Sequence, residues 1–119
     1  LNDHMESFSA TVDNFLRPGG QEPANAFMIY FHGGGFIAQS SSGHALYLRE
    51  WAAELEDAVI LAVDYKLAPE YKFPVAIEEG VYVYEWAIRN LERLGTRGKR
   101  VIIAGDSAGG NIAMAITFR

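Results

Sequence analysis

The sequence predicts an α/β layered fold built on a parallel sheet. Three observations point there. Residues 26–31 ("AFMIYF"), 58–63 ("AVILAV") and 101–105 ("VIIAG") are apolar runs of strand length without polar alternation, which suits strands buried on both faces. Stretches with helical apolar spacing lie between them. Glycine-rich turns follow the first and third runs, where a parallel sheet presents loops at one edge.

Residues 1–25 are polar and end in "RPGGQEPAN", a turn-rich stretch read as a linker or upstream remnant. A partial domain then occupies 26–119. After the first strand, the serines at 40–42 are candidate N-caps. Leu48, Trp51, Ala52 and Leu55 follow as one helical stripe. After the second strand, Pro74 suits a first helical turn, and Ile77, Val81, Tyr84, Ile88 and Leu91 form the next stripe. Glu78 and Glu79 near its start and Arg89 and Arg93 near its end suit the helix dipole, and Gly95 is a candidate stop. A last helix starts past Ser107. The order β-α-β-α-β-α implies right-handed crossovers. Three parallel strands alone leave two apolar edges, so further strands are expected in a parent protein.

Composition narrows the function. The chain has 119 residues, 50% hydrophobic and 21% charged, as in an ordinary globular domain. A net charge of -5 argues against a nucleic-acid partner. With no cysteine, neither disulfides nor thiolate metal sites can form. No apolar stretch has the length of a membrane span, and the first residues lack the pattern of a signal peptide.

Two motifs carry chemistry. Gly105-Asp106-Ser107-Ala108-Gly109 is G-x-S-x-G between a predicted strand and a predicted helix. This context suits a nucleophile elbow, a strained turn that lifts the serine hydroxyl to the sheet edge. His32-Gly33-Gly34-Gly35-Phe36 follows the first strand. Its glycines free backbone N–H groups to face the oxyanion of an acyl-transfer intermediate. For the Gly34 and Gly35 amides to serve Ser107, the first and third strands must be neighbours, which sets the local order 2-1-3. Simple turns are the bland alternative for both motifs. A sharper rival is the dinucleotide fingerprint Gly33-x-Gly35-x-x-Ala38 with Asp64 as ribose partner, although "IAQSSSGH" delays the helix that such a loop needs at once.

"HGGGF", "DYKLAPEYKFPVAIEE" (64–79) and "GDSAGGN" (105–111) resemble, in that order, the hormone-sensitive lipase group of α/β-hydrolases. The flanking stretches look closer to the group's namesake than to its microbial esterases. The resemblance implies a carboxylic-ester hydrolase whose three strands are interior members of a larger sheet. It makes Ser107 the nucleophile and the Gly34, Gly35 and Ala108 amides the oxyanion hole. His32 would orient the loop. It implies no cofactor or metal, neutral acyl-ester lipids as substrates, and a cytoplasmic enzyme visiting lipid droplets. Asp64, Tyr65, Glu70, Glu78 and Glu79 are expected to be structural or solvated, and Asp106 to make a structural hydrogen bond.

In this fold an acid and then a histidine follow the serine. None stands among residues 108–119, and His4, His32 and His44 all lie upstream, with His44 expected to be exposed. The triad is therefore expected to close with residues beyond this chain, and the piece alone to have marginal stability and negligible turnover. A non-catalytic receptor or pseudo-enzyme on the same fold is the alternative.

Overall fold

The computed structural model describes residues 9–13, as backbone, and residues 22–119. The predicted strands form as β2 (Ala24–Phe31), β3 (Ala58–Asp64) and β4 (Thr96–Gly105). The helices are α1 (Ala45–Glu54), α2 (Val75–Arg89) and α3 (Ala108–Thr117), with one 3-10 turn at Ser41–His44. β2 pairs in parallel with β3 on one side and β4 on the other, which is the local order 2-1-3.

An element appears inside the stretch read as a linker. Ser9–Asp13 forms β1, antiparallel to β3, with Ser9 opposite Asp64 and Asp13 opposite Ile60. The described sheet therefore has four strands in the order β1-β3-β2-β4 rather than three. "SATVD" has no apolar run to announce it. An edge strand needs only the ladder of its neighbour, and antiparallel edges on parallel sheets are common.

The strand runs are buried on both faces. Phe27, Ile29 and Phe31 of β2 join Val59, Leu61 and Val63 of β3 in a core under α2 and α3. Met28, Tyr30, Ile60 and Ala62 face the other way and pack on Leu48 and Ala52 of α1. β4 is different. Its Val101 and Ile102 are exposed, and no described strand covers its outer edge.

The helix stripes shift when packed. In α2 the fully buried positions are Gly80, Val83 and Ala87, while Ile77, Val81 and Tyr84 are only partly buried and Leu91 lies past the helix end. The reason is helix contact. A Cβ on Gly80 would sit 2.6 Å from the Ile116 side chain, so α3 presses onto that face of α2. In α1, Leu48 and Ala52 are buried but Trp51 and Leu55 stay about 40% exposed. Ser40 makes no side-chain cap. Instead the Ser41 amide and hydroxyl donate to the Asp64 carboxylate at 2.6 and 2.8 Å.

Candidate active site

The parallel register of β2 and β4 sets Phe31 opposite Gly105. The loops that leave these residues therefore start side by side at the carboxyl edge of the sheet. The glycine loop after β2 and the serine turn after β4 meet there.

The serine turn is short and strained. Ser107 is exposed and has φ 52°, ψ -118°, a left-handed conformation that a residue with a Cβ rarely takes. Such strain costs on the order of 1–3 kcal/mol and persists only where packing imposes it. Here close approach imposes it. A Cβ on Gly109 would lie 1.9 Å from the Phe31 carbonyl oxygen, and one on Gly105 would lie 2.4 Å from Gly109. α3 starts immediately at Ala108, and the Asn111 amide donates to the Ser107 carbonyl at 3.1 Å. Sequence and structure agree on this strand–turn–helix.

The glycine loop folds on itself. The Gly34 carbonyl accepts from the Ile37 and Ala38 amides at 3.2 and 3.0 Å, and Gly34 and Gly35 both have positive φ. A Cβ on Gly34 would meet the Ala38 carbonyl at 2.1 Å, so glycine is obligatory there. Among the described residues, the amides of Gly34, Gly35 and Ala108 donate no hydrogen bond. Among the described residues these three backbone donors at one sheet edge have no protein acceptor.

Asp106 joins the two turns. Its Oδ1 accepts from the Gly33 amide at 3.0 Å and from the Tyr30 hydroxyl at 2.5 Å. The Tyr30 hydroxyl also pairs with that of Tyr47. Gly33 also packs closely, since a Cβ there would fall 2.4 Å from Asp106 Oδ2 and 3.0 Å from the Asp106 carbonyl oxygen. Burial pushes the Asp106 carboxyl up, but the Tyr30 hydroxyl, the Gly33 amide and the charge on His44 together hold it below the usual carboxylate range. Tyr30 is pushed well above the ordinary phenol value, by burial first and then by its bond to Asp106. Asp106 is therefore a structural acceptor that bridges the two turns.

His32 is buried, at 1% exposure. Its Nδ1 donates to the Gly33 carbonyl at 2.6 Å, and its ring stacks on Tyr65 at 4.4 Å. The Tyr65 hydroxyl donates to the His32 carbonyl at 2.5 Å, and burial, then the Asp106 charge, pushes Tyr65 up to about 12. His44 departs from expectation. It is half-buried rather than exposed, because the 3-10 turn anchored on Asp64 folds it against the rings of Tyr30, Tyr47 and His32. His4 lies outside the described residues.

The dinucleotide reading fails on two counts. No α-helix follows the glycine loop until Ala45, and Asp64 is occupied by Ser41. Glu79 takes a structural role, accepting from the Lys66 amide at 2.9 Å. Sequence reasoning missed Tyr30 and Tyr47. The signal for Tyr30 was present: a hydroxyl inside an otherwise apolar buried strand needs a partner. Among the described residues no three His, Cys, Asp or Glu could hold a metal ion, and no helix is long and apolar enough to cross a membrane.

Comparison with known proteins agrees with this geometry. A family model for the alpha/beta hydrolase fold matches residues 28–119. Hormone-sensitive lipase of Bos taurus is 48% identical over 104 residues, covering 87% of this chain but 14% of that protein. Human hormone-sensitive lipase is 47% identical over 109 residues, covering 92% and 10%. Among solved structures, the thermostable carboxylesterase EstE1 from a metagenomic library superposes with a TM-score of 0.83 at 37% identity, covering 93% of this chain and 36% of that one. An esterase of Pyrobaculum calidifontis superposes with a TM-score of 0.77 at 42% identity, covering 89% and 33%. The chain thus spans only a small part of the length of these relatives. With the motifs, the strand order and the elbow in agreement, the chain belongs to the α/β-hydrolase family.

Proposed function

We propose that this chain carries the nucleophile and oxyanion half of a serine carboxylic-ester hydrolase. The observation that carries the reading is Ser107, held in a strained left-handed turn between β4 and α3 at the sheet edge where the glycine loop also begins. Ser107 Oγ attacks the acyl carbon of an ester and its proton passes to a general base. The Gly34, Gly35 and Ala108 amides donate to the oxyanion that forms. The alcohol leaves with a proton, and water releases the acid from the acyl-enzyme. His32 orients the glycine loop through its bond to the Gly33 carbonyl and moves no proton.

In this reading the base and its carboxylate partner belong to the full-length protein outside these 119 residues. The substrates are neutral acyl esters such as acylglycerols or cholesteryl esters, met in the cytoplasm at lipid-droplet surfaces. Likeness to lipases and esterases supports this assignment. The test is a fluorophosphonate probe and p-nitrophenyl butyrate on the full-length protein. Wild type labels and turns over, and Ser107→Ala loses labelling and about 10⁴-fold or more in kcat. A wild-type protein that binds ester analogues but does not label would instead be a non-catalytic receptor.

A further inference from the structure

His44 has no part in the reaction above, yet it is folded against the candidate site. The 3-10 turn anchored by Ser41 on Asp64 carries it inward. Its Nε2 is sealed from solvent and has no hydrogen-bond partner among the described residues. A polar nitrogen sealed among rings is costly, and an all-carbon ring would fill the same space without that cost. The nitrogen therefore calls for a role.

Its surroundings supply one. From β2, Tyr30 meets the His44 ring edge-on at 6.3 Å, and the His32 ring lies 5.9 Å away, inclined by only 27°. From α1, Tyr47 meets it at 5.4 Å. From the serine turn, Asp106 presents the carboxylate on which the His44 charge acts. Asp64, at the end of β3, is already engaged by Ser41. These contacts reach Gly33 by two routes. Tyr30 donates to Asp106 Oδ1, which also accepts from the Gly33 amide, and His32 donates to the Gly33 carbonyl. Gly33 leads into Gly34 and Gly35, and Asp106 leads into Ser107.

We propose that His44 is a positioning residue: from behind the Tyr30–Asp106 pair it holds Gly33, and with it the oxyanion loop, aligned with Ser107. The proposal rests on the ester-hydrolase reading above. His44 touches no reacting atom in it. Its ring fixes Tyr30 and Tyr47 from the side, and its nitrogens favour an anionic Asp106. An ionised acceptor binds an amide about twice as strongly as a neutral one, so Gly33 is held firmly. The amides that follow Gly33 then stay aimed where the oxyanion forms, without rearranging during the reaction.

The experiment measures kcat and KM on p-nitrophenyl butyrate, together with urea unfolding, for the full-length protein, His44→Phe, Asp106→Asn and the double variant. Phenylalanine keeps the ring contacts and removes the nitrogens. His44→Phe should unfold at the wild-type midpoint and lower kcat about three- to fivefold with KM within about twofold, the low end of couplings inside one hydrogen-bonded network. In the Asp106→Asn background the same change should lower kcat less than about 1.5-fold, because the carboxylate through which it acts is gone. An unchanged kcat in His44→Phe, or an equal loss in both backgrounds, overturns the proposal while the hydrolase reading stands. A loss of kcat that follows a lowered unfolding midpoint assigns His44 to packing and overturns it as well. If wild type hydrolyses no ester, the hydrolase reading falls and this proposal falls with it.

Discussion

Replacing Asp106 with alanine removes the joint between the glycine loop and the serine turn. The carboxylate accepts from the Gly33 amide at 3.0 Å and the Tyr30 hydroxyl at 2.5 Å. Hydrogen bonds to charged groups contribute about 1.5–3 kcal/mol each. The carboxylate itself is exposed, so water competes for it and the sum must be discounted. Both donors belong to buried residues and find poor replacements. The expected loss is about 2 kcal/mol for Asp106→Ala and about 1 kcal/mol for Asp106→Asn, which keeps one acceptor. Urea unfolding of the full-length protein measures it. Because Gly33 leads into Gly34 and Gly35, kcat should fall about tenfold with KM little changed, as an oxyanion donor acts on the transition state. The carboxyl is held below its usual range, so its contribution is present above the unfolded carboxylate pKa and lost as pH falls through the folded value. Asp106→Asn should flatten that acid limb. Stability within 0.5 kcal/mol of wild type, with kcat within twofold, would refute the reasoning.

Two more outcomes follow from the same contacts. Tyr65 is raised to about 12, so its contribution is complete below the ordinary phenol value near 10 and disappears as pH rises from there to about 12; absorbance titration should show several late-ionising tyrosines, and Tyr65→Phe should remove one of them while Tyr30 and Tyr47 still ionise late. Gly109→Ala should cost about 3 kcal/mol or more, because its Cβ meets two backbone carbonyls of the β2 end, whereas Gly110→Ala, 3.2 Å from the Gly105 carbonyl, should stay within about 1 kcal/mol of wild type. Equal unfolding midpoints for the two variants would contradict the close packing of α3 on β2.

Much of the fold was legible because its signals are local. Runs such as "AVILAV" are apolar on every residue, which only a strand covered on both faces requires, and β3 is that strand. The helix after Pro74 formed as its period predicted, yet its buried line moved to Gly80, Val83 and Ala87. That line depends on where Ile116 presses, and Ile116 is 36 residues away in the chain. β1 was invisible for the opposite reason: an edge strand borrows its order from β3 and needs no pattern of its own.

The candidate site divides in the same way. The sequence by itself determined the serine turn and the glycine loop, because glycine at 34 and 109 is a requirement of backbone sterics written in residue type. It also determined that the two motifs would share one sheet edge, since parallel strands send their following loops to the same side. Only the tertiary structure decided what holds them together. The Asp106 carboxylate reaches Gly33 across 73 residues and Tyr30 across 76, and His44 folds inward once Ser41 binds Asp64. Those pairings are choices among many possible acceptors, settled by which side chains the packed sheet brings within hydrogen-bond reach.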